Sequence, residues 1–415
     1  MGAENVADCL TVPLNDVLRR VEMGWSPVCE PRIPASDEWG VLKLSAVTSG
    51  VFLEGEAKTL PRDVAPRPAL EVHPGDVLMS RANGVKTLVG VVCSVDEVRR
   101  KLLVPDLVFR LVADTKVLDP GFLTIALAAT DARKQIDEVM RGSSGQYKIS
   151  QADVRILRVP RMPLEEQRRI VAVHAAFERR ISALKTMLGK LRVAEQALST
   201  KALAPAQGNE WDQVPLESVA TVAAGVTLGS EPVGDGTVEL PYLRVANVLD
   251  GRIDTADVKR VRILSTQYER YALKQGDLLL TEGGDLDKLG RGAVWDGRIE
   301  SCLHQNHVFR VRCRERMTPE FLALYTASAA GRAYFQRVGK QTTNLASINS
   351  TQVKKMPAPL PPLDEQERLL GPIRAARKRA EALEKQVTKL RTVQRAVVED
   401  LIENRNVSGQ VSTRT

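Results

Sequence analysis

Pro163-Leu164-Glu165-Glu166-Gln167-Arg168 recurs in the same chain as Pro362-Leu363-Asp364-Glu365-Gln366-Glu367. The offset is 366 − 167 = 199 residues. Leu383 − Leu184 and Leu390 − Leu191 give the same 199, so the match continues without a gap. A period of that length marks a duplicated domain unit, not a short solenoid repeat. Proline and acidic residues at the start of each copy suit a helix N-terminus and its dipole.

Downstream of each opening the apolar residues recur in sevens. Ile170, Phe177, Leu184, Leu191 and Leu198 form one set, with Ile181 and Leu188 interleaved. The second copy carries Leu369, Ala376, Leu383, Leu390 and Val397, with Ile373, Val387 and Leu401 interleaved. Held over about five heptads, this is the a/d seam of a coiled coil. Glu195 and Gln394 interrupt the seam at equivalent places, again 199 apart. A polar seam residue sets register at some cost in stability. At ~1.5 Å per residue, roughly 40 residues make a rod of about 60 Å. The competing arrangement is two amphipathic helices, each packed on its own domain. Five heptads exceed what one compact domain usually buries, so antiparallel pairing of the two helices is expected.

The chain has 415 residues, 43% hydrophobic and 27% charged, which is the profile of an ordered protein of two or three domains. No apolar run approaches the ~20 residues of a membrane helix, and Met1–Leu10 has no basic apolar signal, so the cytoplasm is expected. Five scattered cysteines without a Cys-x-x-Cys pair argue against a disulfide framework. Cys302, His304, His307 and Cys313 cluster in sequence, but the Cys-x-His spacing fits no common zinc site and Val308–Arg312 alternates like a strand. No metal is expected. The net charge is +8; Pro163–Leu203 carries eight basic and four acidic residues, and Pro362–Arg405 ten and eight. Most of the excess therefore sits on the helices, and any nucleic-acid contact in the globular halves must come from local basic loops.

Those halves repeat one order. Val12–Val17 and Val214–Val219 open them. Val41–Val47 and Tyr242–Asn247 read as strands followed by turns at Gly50 and Gly251. Gly75-Asp76-Val77-Leu78 and Gly276-Asp277-Leu278-Leu279 read as a turn and a buried strand. Phe122–Val139 and Phe321–Val338 read as helices, each followed by a polar loop. The expected layout is a first domain over 1–160, a helix over 161–205, a second domain over 206–360, a helix over 361–406 and a disordered tail over 407–415.

The frame repeats while the loop contents differ. The first half offers Arg81, Asn83, Lys86, Ser143, Gln146, Tyr147 and Lys148. The second offers Arg244, Asn247, Lys288, Arg291, Lys340, Gln341, Thr342, Thr343 and Asn344. Arg and Lys suit phosphates and guanine edges, Asn and Gln suit adenine, and Ser and Thr serve either role. Such residues also satisfy ordinary turns; their corresponding placement in both halves favours a functional reading. Catalytic motifs are missing. Gly189-Lys190-Leu191 and Gly339-Lys340-Gln341 are not phosphate loops, Gly290-Arg291-Gly292 lacks a third glycine, and there is no Gly-x-Ser-x-Gly elbow. Leu360-Pro361-Pro362-Leu363 lacks the flanks of an amino-methyltransferase motif.

On the duplicated Pro-Leu-(Glu/Asp)-Glu-Gln openings, the Gly-Asp strands and the alternation of globular half and helix, nearly the whole chain resembles the specificity subunit of a type I restriction-modification system. The resemblance implies an α+β fold with two pseudo-repeated target-recognition domains joined by two long helices in an antiparallel coiled coil. It implies a chain that reads a bipartite, asymmetric site in double-stranded DNA and has no catalysis of its own. The helices would dock two adenine methyltransferase subunits, which bind S-adenosylmethionine; restriction/motor subunits would use ATP and Mg. DNA contact would fall on the loop residues named above. One departure stands out: Glu282-Gly283-Gly284-Asp285 puts acids where the first half has Arg81 and Asn83. The alternatives are a coiled-coil interaction scaffold and a free-standing DNA-binding regulator.

Overall fold

The structure, a computed structural model, describes residues 11–142, 145–204, 211–229, 232–341 and 346–408. It divides into two compact units, 1–184 with 386–415 and 185–385. Each unit thus holds one globular half, part of the helix that leaves it and part of the other helix.

In the first unit the strands are β1 (Thr11–Pro13), β2 (Leu18–Met23), β3 (Gly40–Leu42), β4 (Ala57–Thr59), β5 (Val77–Ser80), β6 (Ala82–Asn83), β7 (Val92–Ser94), β8 (Leu102–Leu103), β9 (Val108–Ala113), β10 (Tyr147–Lys148) and β11 (Arg158–Pro160). A four-stranded sheet runs β2-β9-β5-β7, a three-stranded sheet β4-β3-β8, and two ribbons pair β1 with β11 and β6 with β10. The second unit has β12 (Gln213–Pro215), β13 (Ala220–Ala223), β14 (Thr237–Leu243), β15 (Val248–Leu249), β16 (Arg252–Ile253), β17 (Lys259–Leu264), β18 (Leu278–Thr281), β19 (Gly283–Gly284), β20 (Gly292–Val294), β21 (Leu303–His304), β22 (Val308–Cys313), β23 (Lys340–Gln341), β24 (Ala346–Ser347) and β25 (Pro357–Pro359). Its sheets run β13-β22-β18-β20 and β17-β14-β21, with β12 on β25 and a β19-β24-β23 ribbon. The two halves share one strand order, to which the second adds the β15–β16 pair and β23.

The Gly-Asp signature is explained by its turn. Gly75 and Gly276 have φ of +90° and +91°, a region that favours glycine. The following carboxylate closes the turn: Asp76 accepts from His73 N at 2.9 Å and Asp277 from Lys274 N at 2.7 Å. β5 and β18 are then buried along their whole length, as the central strands of a covered sheet.

Local boundaries differ from expectation in three places. The strand read over Val41–Val47 ends at Leu42, and a 3-10 turn takes Leu44–Ala46. The strand read over Tyr242–Asn247 ends at Leu243, because the Asn247 side chain accepts from Arg244 N and folds Val245–Asn247 into a 3-10 turn. The single helix read in each half is two. Pro120–Ala128 and Thr130–Val139 are separated by Ala129 in extended conformation, and Pro319–Ala327 and Ala329–Val338 by Ser328. At the second break the Ser328 hydroxyl accepts from Gly331 N, so the serine starts a new helix instead of continuing the old one.

The long helices are Leu164–Ala202 and Leu363–Ser408, of 39 and 46 residues. Their openings are held by the repeated glutamine. Gln167 and Gln366 are buried, 2% and 0% exposed. Gln167 accepts from Asp119 N and donates to the carbonyls of Val117 and Met162; Gln366 accepts from Thr318 N and donates to those of Arg316 and Pro361. Each glutamine ties the first turn of its helix to the loop before the helix pair of its own globular half. The recurrent motif is therefore a clamp.

The helices form an antiparallel coiled coil. Within the first unit, Ile170, Val398 and Ile402 share the globular core, and Gln394 donates to Glu178 Oε1 at 2.9 Å. Within the second, Leu198, Ala202, Leu369, Leu370 and Ile373 join the core, and Arg377 donates to Glu195 at 2.5 Å. The polar seam residues Gln394 and Glu195 thus each find a partner on the opposing helix, at places 199 residues apart. Of the expected seam, Ile170, Ile181, Leu184, Ile373 and Leu383 are buried, while Phe177, Leu191, Leu198, Leu369, Leu390 and Val397 are half-buried. No helix among the described residues is long and apolar enough to cross a membrane.

Candidate nucleic-acid interface

Two loops far apart in sequence meet in each unit. In the first, β6 and β10 pair antiparallel, Asn83 opposite Tyr147 and Ala82 opposite Lys148. Arg141 extends the ribbon by exchanging backbone hydrogen bonds with Lys148 at 3.0 and 2.9 Å. In the second, Gly283 and Gly284 of β19 face Ser347 and Ala346 of β24, which also pairs with Lys340 and Gln341 of β23. Each ribbon springs from the end of the buried central strand, β5 or β18, so a packed sheet anchors a short ribbon built from loops distant in sequence.

The ribbon of the first unit gathers Arg81, Asn83, Gln146, Tyr147 and Lys148. Arg81 is half-exposed; its guanidinium lies over the Phe109 ring, 5.7 Å from the centroid, and donates to the Met23 sulfur. Asn83 accepts from Val85 N at 2.9 Å, which shapes the loop leading to exposed Lys86. Gln146 and Lys148 are exposed, whereas Tyr147 packs against the core. In the second unit Lys340 and Gln341 are exposed on β23. Ser143, Thr342, Thr343 and Asn344 lie outside the described residues.

Two of the expected contact residues also bond within the fold. Asn247 is 3% exposed, and its amide group is used up: it accepts from Arg244 N and donates to the carbonyls of Asp254 and Asp257. Arg244 donates to the Asp257 carbonyl and carboxylate, and Asp257 is held below the usual carboxylate range by Lys259 and Arg244. Both residues tie down the segment between β14 and β17; the Asn247 amide is spent within the fold, whereas the Arg244 side chain stays 26% exposed and uses one guanidinium nitrogen. Lys288 pairs with Asp285, which lowers the Asp285 carboxyl. Arg291 is half-exposed beside a cleft lined also by Asp250, Lys288 and Arg332.

The Cys/His cluster is dispersed by the fold. His304 is buried, donates from Nδ1 to the Val308 carbonyl at 2.7 Å and is pushed down to about 4, chiefly by burial. His307 is exposed on the turn before β22 and meets Glu282 at 2.5 Å. Cys302 and Cys313 sit in separate hydrophobic clusters, and burial raises each thiol to about 12. Among the described residues no three His, Cys, Asp or Glu side chains gather as a metal site. The Glu282–His307 pair escaped the sequence reading, which weighed His307 only as a metal ligand. The available signal was the 201-residue offset that sets Glu282 opposite Arg81.

The chain thus has a duplicated α+β frame, with one loop ribbon per half and a pair of long helices. Residues 208–387 match the family model described as the Type I restriction modification DNA specificity domain. The chain is 33% identical to the type I restriction enzyme EcoEI specificity subunit of Escherichia coli over 177 residues, covering 42% of this chain and 30% of that subunit. It is 22% identical to the EcoKI specificity subunit of Escherichia coli strain K12 over 372 residues, covering 84% and 77%. The match to the EcoEI subunit thus spans under a third of that protein's length. Among solved structures, the S subunit of the type I restriction-modification system from M. genitalium superposes with a TM-score of 0.52 at 13% identity, covering 94% of this chain and 95% of that one. A chain of a type I R-M system studied for its complex assembly and conformational transition gives 0.54 at 20% identity, covering 94% and 97%. Residues 208–387 are thus similar to a type I restriction-modification DNA specificity domain, and the fold of the chain is that of the S subunit structures.

Proposed function

We propose that this chain is the non-catalytic DNA-recognition subunit of a type I restriction-modification complex. Residues 1–160 and 206–360 act as target-recognition domains, each reading one part of a bipartite, asymmetric site in double-stranded DNA. The helices over 161–205 and 361–406 set the distance between the two parts, as a dimer interface sets half-site spacing. They also seat two adenine methyltransferase subunits, and restriction/motor subunits join that assembly. S-adenosylmethionine, ATP and Mg are used by those partners, in the cytoplasm.

The observation that carries this reading is the repetition of one strand order around two ribbons of different content. A symmetric reader would repeat the contents as well as the frame. The described contact set is Arg81, Asn83, Lys86, Gln146, Tyr147 and Lys148 in one half, and Arg244, Lys288, Arg291, Lys340 and Gln341 in the other. Asn247 is left out because its amide group is occupied, and Arg244, 26% exposed, stays in the second set.

The test is co-expression with a type I adenine methyltransferase from the same genome, followed by mapping of methylated adenines in host DNA. A two-part motif with an unspecified gap is expected, and binding of the purified complex to its site should weaken steeply with salt. A chain that purifies without a methyltransferase and binds duplex DNA independently of salt would overturn the proposal.

A further inference from the structure

Arg81 and Glu282 occupy the same place in the two halves with opposite charge. Each follows the buried strand and begins the ribbon. Arg81 N donates to Leu107 O at 2.8 Å, and its carbonyl accepts from Ile149 N at 3.0 Å. Glu282 N donates to His307 O at 3.0 Å, and its carbonyl accepts from Ile348 N at 2.9 Å. The offsets are 282 − 81 = 201, 307 − 107 = 200 and 348 − 149 = 199, so the same three chain segments frame both residues. The backbone is pinned on both sides in each case, and only the side chain is free to differ.

A carboxylate at this root cannot serve as a phosphate contact, since like charges repel. The attractive groups that duplex DNA offers a carboxylate in the major groove are the exocyclic amines, cytosine N4 and adenine N6. Glu282 is placed for such a role. Its side chain is 29% exposed, and His307, 56% exposed, orients it through one carboxylate oxygen at 2.5 Å. The flanking Gly283 and Gly284 add no side chains, so the duplex could approach the ribbon closely there. Arg81 presents donors instead, the chemistry that suits guanine O6 and N7.

We infer that Glu282 is a specificity-determining residue of the second half, accepting a hydrogen bond from an exocyclic amino group in the major groove, and that Arg81 is its donor-bearing counterpart in the first. This inference rests on the proposed DNA-recognition role. His307 is a positioning residue, since it acts through Glu282.

The experiment is methylation mapping in cells that express the full complex with wild-type chain, Glu282→Gln or Glu282→Ala. Wild type must first yield a two-part motif; if it yields none, the recognition reading itself fails. Given that motif, Glu282→Ala should relax one base position of one half-site, with preference there falling about 10- to 100-fold. Glu282→Gln should shift that position towards adenine, which the amide can bind bidentately, and the wild-type base at the position distinguishes cytosine N4 from adenine N6. The other half-site should be unchanged, whereas Arg81→Ala should relax that one alone. If Glu282→Ala abolishes all modification, Glu282→Gln, of equal size, decides the matter. At a wild-type cytosine an unaltered consensus in Glu282→Gln, at a wild-type adenine an unaltered consensus in Glu282→Ala, or in either case equal relaxation of both half-sites, would overturn the inference.

Discussion

Replacing Gln366 by alanine tests the clamp that joins helix to globular half. Gln366 has no exposed surface. Its amide oxygen accepts from Thr318 N at 2.8 Å and Thr318 Oγ1 at 3.0 Å, while its nitrogen donates to Arg316 O at 3.0 Å and Pro361 O at 2.9 Å. Truncation leaves the Thr318 N–H and two carbonyls without their partner. An unmet buried polar group costs about 1–3 kcal/mol, and water can reach only part of this site, so a loss of about 3 kcal/mol is expected. Hydrogen exchange read by mass spectrometry resolves the two units. Protection across 211–360 should fall about 100-fold while that across 11–160 stays unchanged, because the core containing Gln366's neighbours belongs to the second unit. Gln167→Ala should give the mirror result, since Gln167 makes the equivalent bonds in the first unit. A loss below about 0.5 kcal/mol, the level of an ordinary surface substitution, would refute the clamp.

Further outcomes follow from other sites. Gly225→Ala would set a methyl group 1.9 Å from the His304 carbonyl oxygen, with Gln305 O at 2.7 Å, so the backbone must move; a loss above about 2 kcal/mol is expected in urea unfolding. His304, lowered to about 4, is neutral when folded, whereas the unfolded side chain takes a proton below its ordinary 6.5. Its contribution is therefore complete above pH 6.5 and lost as pH falls towards 4, costing about 2 kcal/mol at pH 5 relative to pH 7, which His304→Gln should largely abolish in a pH series of melts. Lys340→Ala with Gln341→Ala removes two exposed ribbon side chains and should perturb the second half-site alone in methylation mapping. Equal change in both half-sites would refute the modular reading.

The paired rods were legible because their code is local and written twice. Heptads from Ile170 to Leu198 and from Leu369 to Val397 declare a seam without knowledge of any distant residue, and the shared 199 offset ties the polar positions Glu195 and Gln394 to each other. The Gly-Asp turns at Gly75 and Gly276 were equally readable, since a positive φ and an adjacent short carboxylate make a self-contained turn. The role of Gln167 and Gln366 was not: a glutamine in a helical first turn looks exposed until the loop it ties to is folded against it.

By itself the sequence determined the duplication, the helical seams, the order of elements in each half and the residue types available at the loops. Only the tertiary structure decided which loops meet and which of their polar groups remain available. Asn83 finds Tyr147 across 64 residues through strand pairing, which no local pattern encodes. Asn247 and Lys340 look alike as polar loop residues, yet one is buried with every hydrogen bond used and the other is exposed. The physical reason is that periodicity is a property of neighbours along the chain, whereas the satisfaction of a polar group depends on whatever the fold brings beside it.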